Sequence, residues 1–573
     1  MISRTRTRKF PNDPILVKLL HSAKLTTENI IHDAYGFDKT YADLLGDVMQ
    51  MRDAIRANLP PTALNARGIL NDDRPYVCVL TRSGYEFLVA FFAIRAIGGA
   101  CANRYLSIGS GILPEEAEYF ISDTKATCLL ISSTRTEKAG KISECIKQNG
   151  GPEIATLVIS NDASPLRDID IGIDESLEMN PQGPGLVFFT PGTTGHPKGL
   201  VLPKQCSAFQ QTAEPNSASL SFRPPHWLGG AMSLLTPPLI GMKLYILKER
   251  ATPESIWKLL RKNRITSASF TPAFLRQLKE VYTDKLSNLP EEEQQKYLDG
   301  FNSLVKIRCD GAMVSPTTRT FWTSMTGRPF QNVYASTESG GTVLETNVNE
   351  PTDLEHSVGT PALGVDVKLS EGDHGEILVK SPWMLTHYIG NEEATKAAFD
   401  EEGYLKTGDL AHLVDGKYVF DGRVAADDVF FHGYRIQSIR VEEALTDLPY
   451  VSEACVIGVP EDEAKELCAA LIRLKEGTPR EEISLARVRA DLSETLPAYM
   501  RPYLLRIMDD GEKVPCTVSS KPIKKEILKQ FFGITEYWSI ENPTPGVESW
   551  GDQPVQVEAE TKPWDWCGLQ RSE

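Results

Sequence analysis

The sequence predicts an α/β protein: a large N-terminal domain of mixed or parallel sheets flanked by helices, carrying a small β-rich section, followed by a small α+β domain. Three observations carry this. The chain has 573 residues, more than one ordinary core accommodates. From Asp73 to about Ile246, short strand-like runs alternate with helix-like ones, the pattern of βα units. From Gly375 onward the texture changes to short alternating strands joined by Asp-Gly turns, which are hairpin signals.

Taken in order, "YVCVL", "ATCLLIS", "IATLVIS", "LVFFT" and "LYIL" read as strands, and "GYEFLVAFFAIRAIG" and "PEEAEYFISD" read as helices between them. "ESIWKLLRKNRI" and "TPAFLRQLKEVY" continue the helical texture. "GEILVK" and "YLKTGDLAHLVDGKYVFDGR" supply the β-rich section. Beyond "GRVAADD" come a helix near Arg440 to Leu448, a strand "EACVIGV" and a helix near Leu485 to Leu496. The expected divisions are therefore 1–427, 428–535 and 536–573, with the boundary at Asp427 or Asp428. The last stretch, polar, acidic and proline-containing from about Glu541, reads as a poorly ordered tail.

Composition narrows the function. A formal net charge of -16 repels polyanions, so nucleic acid is not an expected partner. No stretch approaches the roughly eighteen apolar residues of a membrane span, and the basic opening "SRTRTRKF" has no apolar segment behind it to make a secretory signal. The cysteines are scattered singly, without C-x-x-C pairs, as in a reduced compartment. A cytoplasmic protein is the expectation.

The segment with the most chemistry is "TPGTTGHPKG", from Thr190 to Gly199. A glycine-rich turn after a strand lets backbone N–H groups approach an anion. Gly192 and Gly195 open the backbone, Thr190, Thr193 and Thr194 add hydroxyls, and Lys198 adds a charge that reaches phosphate oxygens. The nucleotide loop G-x-x-x-x-G-K-(S/T) does not fit: Gly199 stands where a hydroxyl is needed, and "GLVLP" does not start a helix. On its own such a loop is equally well a surface turn.

With the segments that follow it, the loop resembles the (S/T)-S-G-T-T-G-x-P-K-G signature of the adenylate-forming enzymes: acyl-CoA synthetases, peptide-synthetase adenylation domains and luciferases. "RPPHWLGG" places His226 at that family's aromatic-pocket histidine. "CDGAMVSP" is similar to its adenine-flanking S-G-A-x-P-L, placing Gly311 and Ala312. "VYASTESGG" resembles Y-G-x-T-E, so Tyr334, Ala335, Ser336 and Thr337 flank adenine and phosphate, and Glu338 is the magnesium ligand. "YLKTGDLA" carries Asp409 for the ribose hydroxyls, and "GRVAADDVFFHGYRI" supplies Arg423 as a second ribose contact. "VPCTVSSKPIKKEIL" resembles P-R-T-x-S-G-K, and its Lys521 matches the catalytic lysine. The matches fall in the family's order between residues 40 and 530.

The resemblance implies an ATP- and magnesium-dependent ligase that activates a carboxylic acid as acyl-AMP and transfers it to CoA. It also implies a mobile C-terminal domain that turns between the two steps. Gly433, Tyr434 and Arg435 then line the path of pantetheine, and His226, Trp227, Gly311 and Ser339 line the acyl pocket. The chemistry suits the residue types: two anions must meet, so cations are needed at the transition state. Three departures stand out. Pro191 replaces a serine and removes a donor, Ala335 replaces a glycine, and Ser520 replaces the glycine before Lys521. The alternatives are an acyl-AMP ligase loading a separate carrier protein's pantetheine, a luciferase-like oxygenase, and a non-catalytic nucleotide-binding homologue.

Overall fold

The computed structural model describes residues 8–550 except 74, 104–113, 152, 167–168, 191–197, 207, 209–211, 249–250, 315, 349–353, 424–427, 432–433, 462–464, 517–521 and 535–543. The strand Tyr76–Leu80 is buried along its whole length, as a central parallel strand covered on both faces must be. It sits in a seven-stranded sheet, parallel to Ala100–Asn103 on one side and Cys128–Ile131 on the other. Pro184–Thr190 joins parallel to Ala100–Asn103, and Lys198–Pro203 then runs back antiparallel.

The helix Tyr85–Ala96 is apolar all round, which suits a helix with no solvent face. It packs between the strands Tyr76–Leu80 and Ala100–Asn103 and the helices Tyr41–Asn58 and Pro14–Ser22. Its one buried charge, Arg95, is held by Asp13 at 2.7 Å and by the carbonyl of Lys204 at 2.8 Å. Asp13 also accepts from the N–H groups of Ile15 and Leu16 as the N-cap of Pro14–Ser22. The pair is thus fully hydrogen-bonded, and removing either partner strands a charge.

A second, thirteen-stranded sheet contains a parallel part and an antiparallel part. The parallel strands Lys243–Ile246, Ala218–Ser221, Ser267–Phe270, Lys306–Asp310 and Gln331–Ser336 are neighbours in that order. The helices Pro253–Lys262 and Pro272–Val281, each with a threonine N-cap and proline in the first turn, cover them around Trp257, Phe301 and Trp322. The antiparallel part runs through Gly341–Glu345, Ser357–Pro361, Lys417–Arg423, Leu405–Val414 and His374–Lys380. This is the expected β-rich section, and Asp415-Gly416 turns its longest hairpin.

Register shifts fall at Tyr334/Ala335, Ser357/Gly359, Glu376/Leu378 and Leu410/Ala411, and each such bulge bends its strand. Gly359 sits at one of these bends with φ +81°, where a Cβ would lie 2.1 Å from the carbonyl oxygen of Glu345. Only glycine fits there.

The strands from Asp428 onward make a separate sheet with its own core of Val429, Val441, Val456, Leu471, Leu504 and their neighbours. The expected strand "EACVIGV" is longer than its sequence signal, Val451–Glu461. The expected helix to Leu496 is α-helical only over Leu485–Asp491 and tightens to a 3-10 turn over Leu492–Glu494. Part of the stretch expected to be a poorly ordered tail does form structure: Val547–Ser549 is an edge strand antiparallel to Leu504–Ile507. Glu548 there accepts from the N–H of Leu485 at 2.7 Å, and Trp550 stacks under the Arg489 guanidinium, 4.3 Å from the ring centroid. These two anchors outweigh the polar composition that suggested disorder.

The helix Ser438–Asp447 carries the contact between this sheet's layer and the rest of the chain. Asp447 accepts from Thr317 at 2.5 Å, Gln437 donates to the carbonyl of Asp421 at 2.7 Å, and Glu443 lies 3.5 Å from His356. Burial, then Asp447, Glu355 and Glu442, push the Glu443 carboxyl up from 4.5 to about 7 against the pull of Arg440. Burial also lowers His356, so both groups shift toward their uncharged forms.

A carboxyl raised in the folded protein stabilises the fold fully below its unfolded value and loses that contribution as pH rises through the folded one. The window is therefore pH 4.5 to about 7, worth on the order of 3 kcal/mol. Glu443→Gln is expected to melt like the wild type near pH 5 and above it at pH 8. Melting curves of the two proteins that stay parallel from pH 5 to 8 would refute this.

Candidate active site

Thr190 and Lys198, the two ends of the glycine-rich loop, are paired residues of an antiparallel hairpin. Pro191, Gly192, Thr193, Thr194 and Gly195 lie outside the described residues. Lys198 is exposed and begins a strand, so the loop leads into a hairpin and not into the helix of a G-x-x-x-x-G-K-(S/T) loop. Its Nζ stands 5.9 Å from the centroid of the Tyr388 ring. Tyr388 belongs to the short strand His387–Tyr388, which pairs with the same hairpin at Leu200.

Burial, and then the nearby Glu338 carboxylate, raise the Tyr388 phenol well above its usual value. Glu338 sits in the turn between Gln331–Ser336 and Gly341–Glu345, with Thr337 beside it. That turn is tightly held. Ser336 and Ser339 exchange hydrogen bonds at 3.0 Å, N–H to hydroxyl in both directions, and Ser339 also donates to the carbonyl of Gly341 at 2.9 Å. The carbonyl of Glu338 accepts from Leu385 at 2.7 Å. Gly340, with φ +71°, passes so near the carbonyl of Trp383 that a Cβ would lie 2.0 Å from it. Ser339, expected in the acyl pocket, is buried within this turn beside Thr337 and Glu338.

Asp409 is 3% exposed and accepts from the Tyr334 hydroxyl at 2.6 Å. The two residues are on strands four steps apart in one sheet. In a flat sheet they would be about 19 Å apart, so the bulged antiparallel part must fold back over the parallel part. Two of the bulges are at Tyr334/Ala335 and at Leu410/Ala411, directly beside the residues brought together. Thr407 accepts from the N–H of Asp409 at 3.1 Å, and Gly408 donates to Glu376 at 2.7 Å, which fixes the strand locally.

Arg423 pairs with Asp409 across the hairpin at the backbone level. Tyr434 and Arg435 open the strand Tyr434–Gln437, opposite Phe431 and Phe430. The side chains of these three, with Gly433, Asp427, Ser520 and Lys521, lie outside the described residues.

Gly311 and Ala312 are exposed just past the strand Lys306–Asp310, and Ala335 is exposed next to Tyr334. His226 and Trp227 follow the strand Ala218–Ser221, with ring centroids 5.2 Å apart and edge-on. Gly311, Ala312, His226 and Trp227 lie beyond the carboxyl ends of parallel strands, and Ala335 lies at the end of Gln331–Ser336, where open α/β sheets bind ligands.

Two features escaped sequence reasoning. Tyr388, which lies near Lys198 and Glu338, carries no signal in "LTHYIGN". The second is an ion pair: Arg223 donates to Asp310 at 2.5 Å, and Asp310 accepts from Ser269 at 2.5 Å. A charged residue closing the apolar strand run "SLSF" was the available signal for Arg223.

The described residues supply an exposed cation, Lys198, a carboxylate, Glu338, and a buried aspartate-tyrosine pair, residue types that suit a polyphosphate nucleotide. A single carboxylate fits magnesium, which is bound by one or two carboxylates together with substrate phosphates. Nucleophilic cysteine chemistry has no support among the described residues; burial pushes the Cys78 thiol up to about 12, for example. No helix among them is long and apolar enough to cross a membrane.

The chain matches the family model for AMP-binding enzymes over residues 55–389 and that for the AMP-binding enzyme C-terminal domain over residues 440–521. It is 32% identical over 534 residues to the acyl-CoA ligase oryP of Aspergillus oryzae, covering 91% of this chain and 93% of that protein. It is 25% identical over 512 residues to the mitochondrial malonate–CoA ligase ACSF3 of Mus musculus, covering 81% and 83%. Among solved structures, the o-succinylbenzoate CoA synthetase (MenE) of Bacillus subtilis, in complex with its acyl-adenylate intermediate OSB-AMP, is similar with a TM-score of 0.70. The identity there is 20%, over 91% of this chain and 99% of that one, so the likeness concerns the fold.

Proposed function

Because this chain belongs to the family of AMP-binding enzymes, we propose that it is an AMP-forming acid-thiol ligase that makes an acyl-CoA from a carboxylic acid, ATP and CoA. The observation that carries this reading is the proximity of Lys198, Tyr388 and Glu338. In the first step a carboxylate oxygen attacks the α-phosphorus of ATP, an O–P bond forms, and pyrophosphate leaves. In the second, the thiol sulfur attacks the acyl carbon, AMP leaves with the electrons of the C–O bond, and the thiol proton is released.

In this reading Lys198 meets the outer phosphates with Thr190, Thr193 and Thr194, and Glu338 holds magnesium, which neutralises phosphate charge when bound with ATP. Asp409 and Arg423 hold the ribose, and Gly311, Ala312, Tyr334, Ala335, Ser336 and Thr337 frame adenine and the α-phosphate. Lys521 bridges the carboxylate and the α-phosphate. Gly433, Tyr434 and Arg435 guide the pantetheine arm. The role of Asp409 is positioning, since ribose hydroxyls are remote from the reacting atoms. A cytosolic place suits cysteines scattered singly, without C-x-x-C pairs.

The test is mass spectrometry of products after the protein is incubated with ATP, magnesium and a panel of carboxylic acids, with and without CoA. The expected result is acyl-AMP with no CoA present and acyl-CoA with it. Acyl-AMP that never transfers to CoA would redirect the second step to a carrier protein. No adenylate from any acid would overturn the reading.

A further inference from the structure

We propose that Arg223 is a specificity-determining residue, offering a buried hydrogen bond to an uncharged oxygen, a hydroxyl or carbonyl, carried on the acyl chain of the substrate acid. The proposal rests on the ligase reading above and goes on to the class of acid.

Arg223 follows the strand Ala218–Ser221, Ser269 is on Ser267–Phe270, and Asp310 ends Lys306–Asp310. These three strands are adjacent and parallel, so the three side chains meet at one edge of the sheet, where a ligand lies in this class of fold. Arg223 is 9% exposed. One arm of its guanidinium, Nη1, is used by Asp310, and the other carboxylate oxygen of Asp310 is used by Ser269. The second arm, Nη2, is buried with no hydrogen-bond partner among the described residues. So is Nε1 of Trp227, four residues further on the same segment.

The guanidinium is covered on one side only by the backbone of Gly229. Gly229 is exposed, and a Cβ built there would meet nothing nearer than Nη1 of Arg223, at 3.1 Å. A buried ion pair contributes little to stability, and a buried donor left unmade costs it. An arginine kept half-used at the ligand edge of the sheet therefore points to an acceptor that arrives with the substrate.

Charge selects which acceptor. Asp310 already balances Arg223 at 2.5 Å, so a second substrate carboxylate would be set against a like charge. A plain alkyl chain would bury the two donors without partners. A neutral oxygen satisfies the site, and sites built to bond an oxygen reject the analogue lacking it by large factors.

The experiment compares kcat/KM for pyrophosphate release with hexanoic to decanoic acids, their hydroxy and oxo forms, and the matching α,ω-dicarboxylic acids. The full chain is used, as wild type, Arg223→Met and the charge-neutral double variant Arg223→Met/Asp310→Asn. In the wild type an oxygenated acid is expected to exceed its plain counterpart by at least about 10²-fold. In the double variant that ratio is expected to fall to within about threefold, with the plain acid still turned over. The double variant avoids the stranded Asp310 charge that could unfold the single one.

Plain acids used as well as oxygenated ones, dicarboxylic acids preferred, or a preference unchanged in the double variant would each overturn the subsite alone. An equal loss for plain and oxygenated acids would also overturn it, by making Arg223 structural or a partner of the reacting carboxylate. Pyrophosphate from no acid would overturn the ligase reading and the subsite with it.

Discussion

Lys521→Ala is expected to lower acyl-adenylate formation by roughly 10²- to 10⁴-fold, the usual cost of losing a charge-stabilising donor at the transition state. Two anions, the substrate carboxylate and the α-phosphate, must approach, and a lysine between them acts only where their charges meet. The loss should therefore fall on kcat of the first step, with the KM for ATP little changed. Transfer of the acyl group from supplied acyl-AMP to CoA should stay within about threefold of wild type, because that step does not bring the two anions together. Pyrophosphate exchange and thioester formation, measured separately, give the split; equal losses in both steps would count against this role for Lys521.

Asp409→Asn is expected to act in the opposite way, raising the KM for ATP while leaving kcat nearly intact. The aspartate is 3% exposed and already accepts from Tyr334 at 2.6 Å. Two ribose hydroxyls would add charge-assisted hydrogen bonds worth about 1.5–3 kcal/mol each. Losing their charged partner costs about 10²- to 10³-fold in kcat/KM for ATP. Tyr334→Phe removes one neighbour of the carboxylate and should cost about tenfold, in the same parameter. A kcat loss with unchanged KM in Asp409→Asn would move this residue from positioning into the chemistry.

The local elements were legible because their causes are local. The alternation of "YVCVL" with "GYEFLVAFFAIRAIG" translates directly into the strand Tyr76–Leu80 and the helix Tyr85–Ala96. Asp415-Gly416 turns the hairpin its dipeptide announces. The reading of "PKGLVLP" as something other than a helix start holds, since Lys198–Pro203 is a strand. The tail was misjudged where a short polar strand, Val547–Ser549, is secured by partners distant in sequence: Leu504–Ile507, Leu485 and Arg489. Composition speaks for average burial and cannot see a particular partner.

What the sequence determined by itself is the inventory and the order: a glycine- and threonine-rich loop, a lysine, a carboxylate and an aspartate in the succession of an adenylate-forming enzyme. What only the tertiary structure decided is which of them touch. Tyr334 meets Asp409 because a bulged sheet folds back across about 19 Å of strand spacing, the Tyr388 ring comes to lie near both Lys198 and Glu338, and Arg223 finds Asp310 across an intervening strand. Such contacts depend on the summed twist and bending of many strands. No single stretch of sequence encodes that sum, so residue types could be read in advance and their pairings could not.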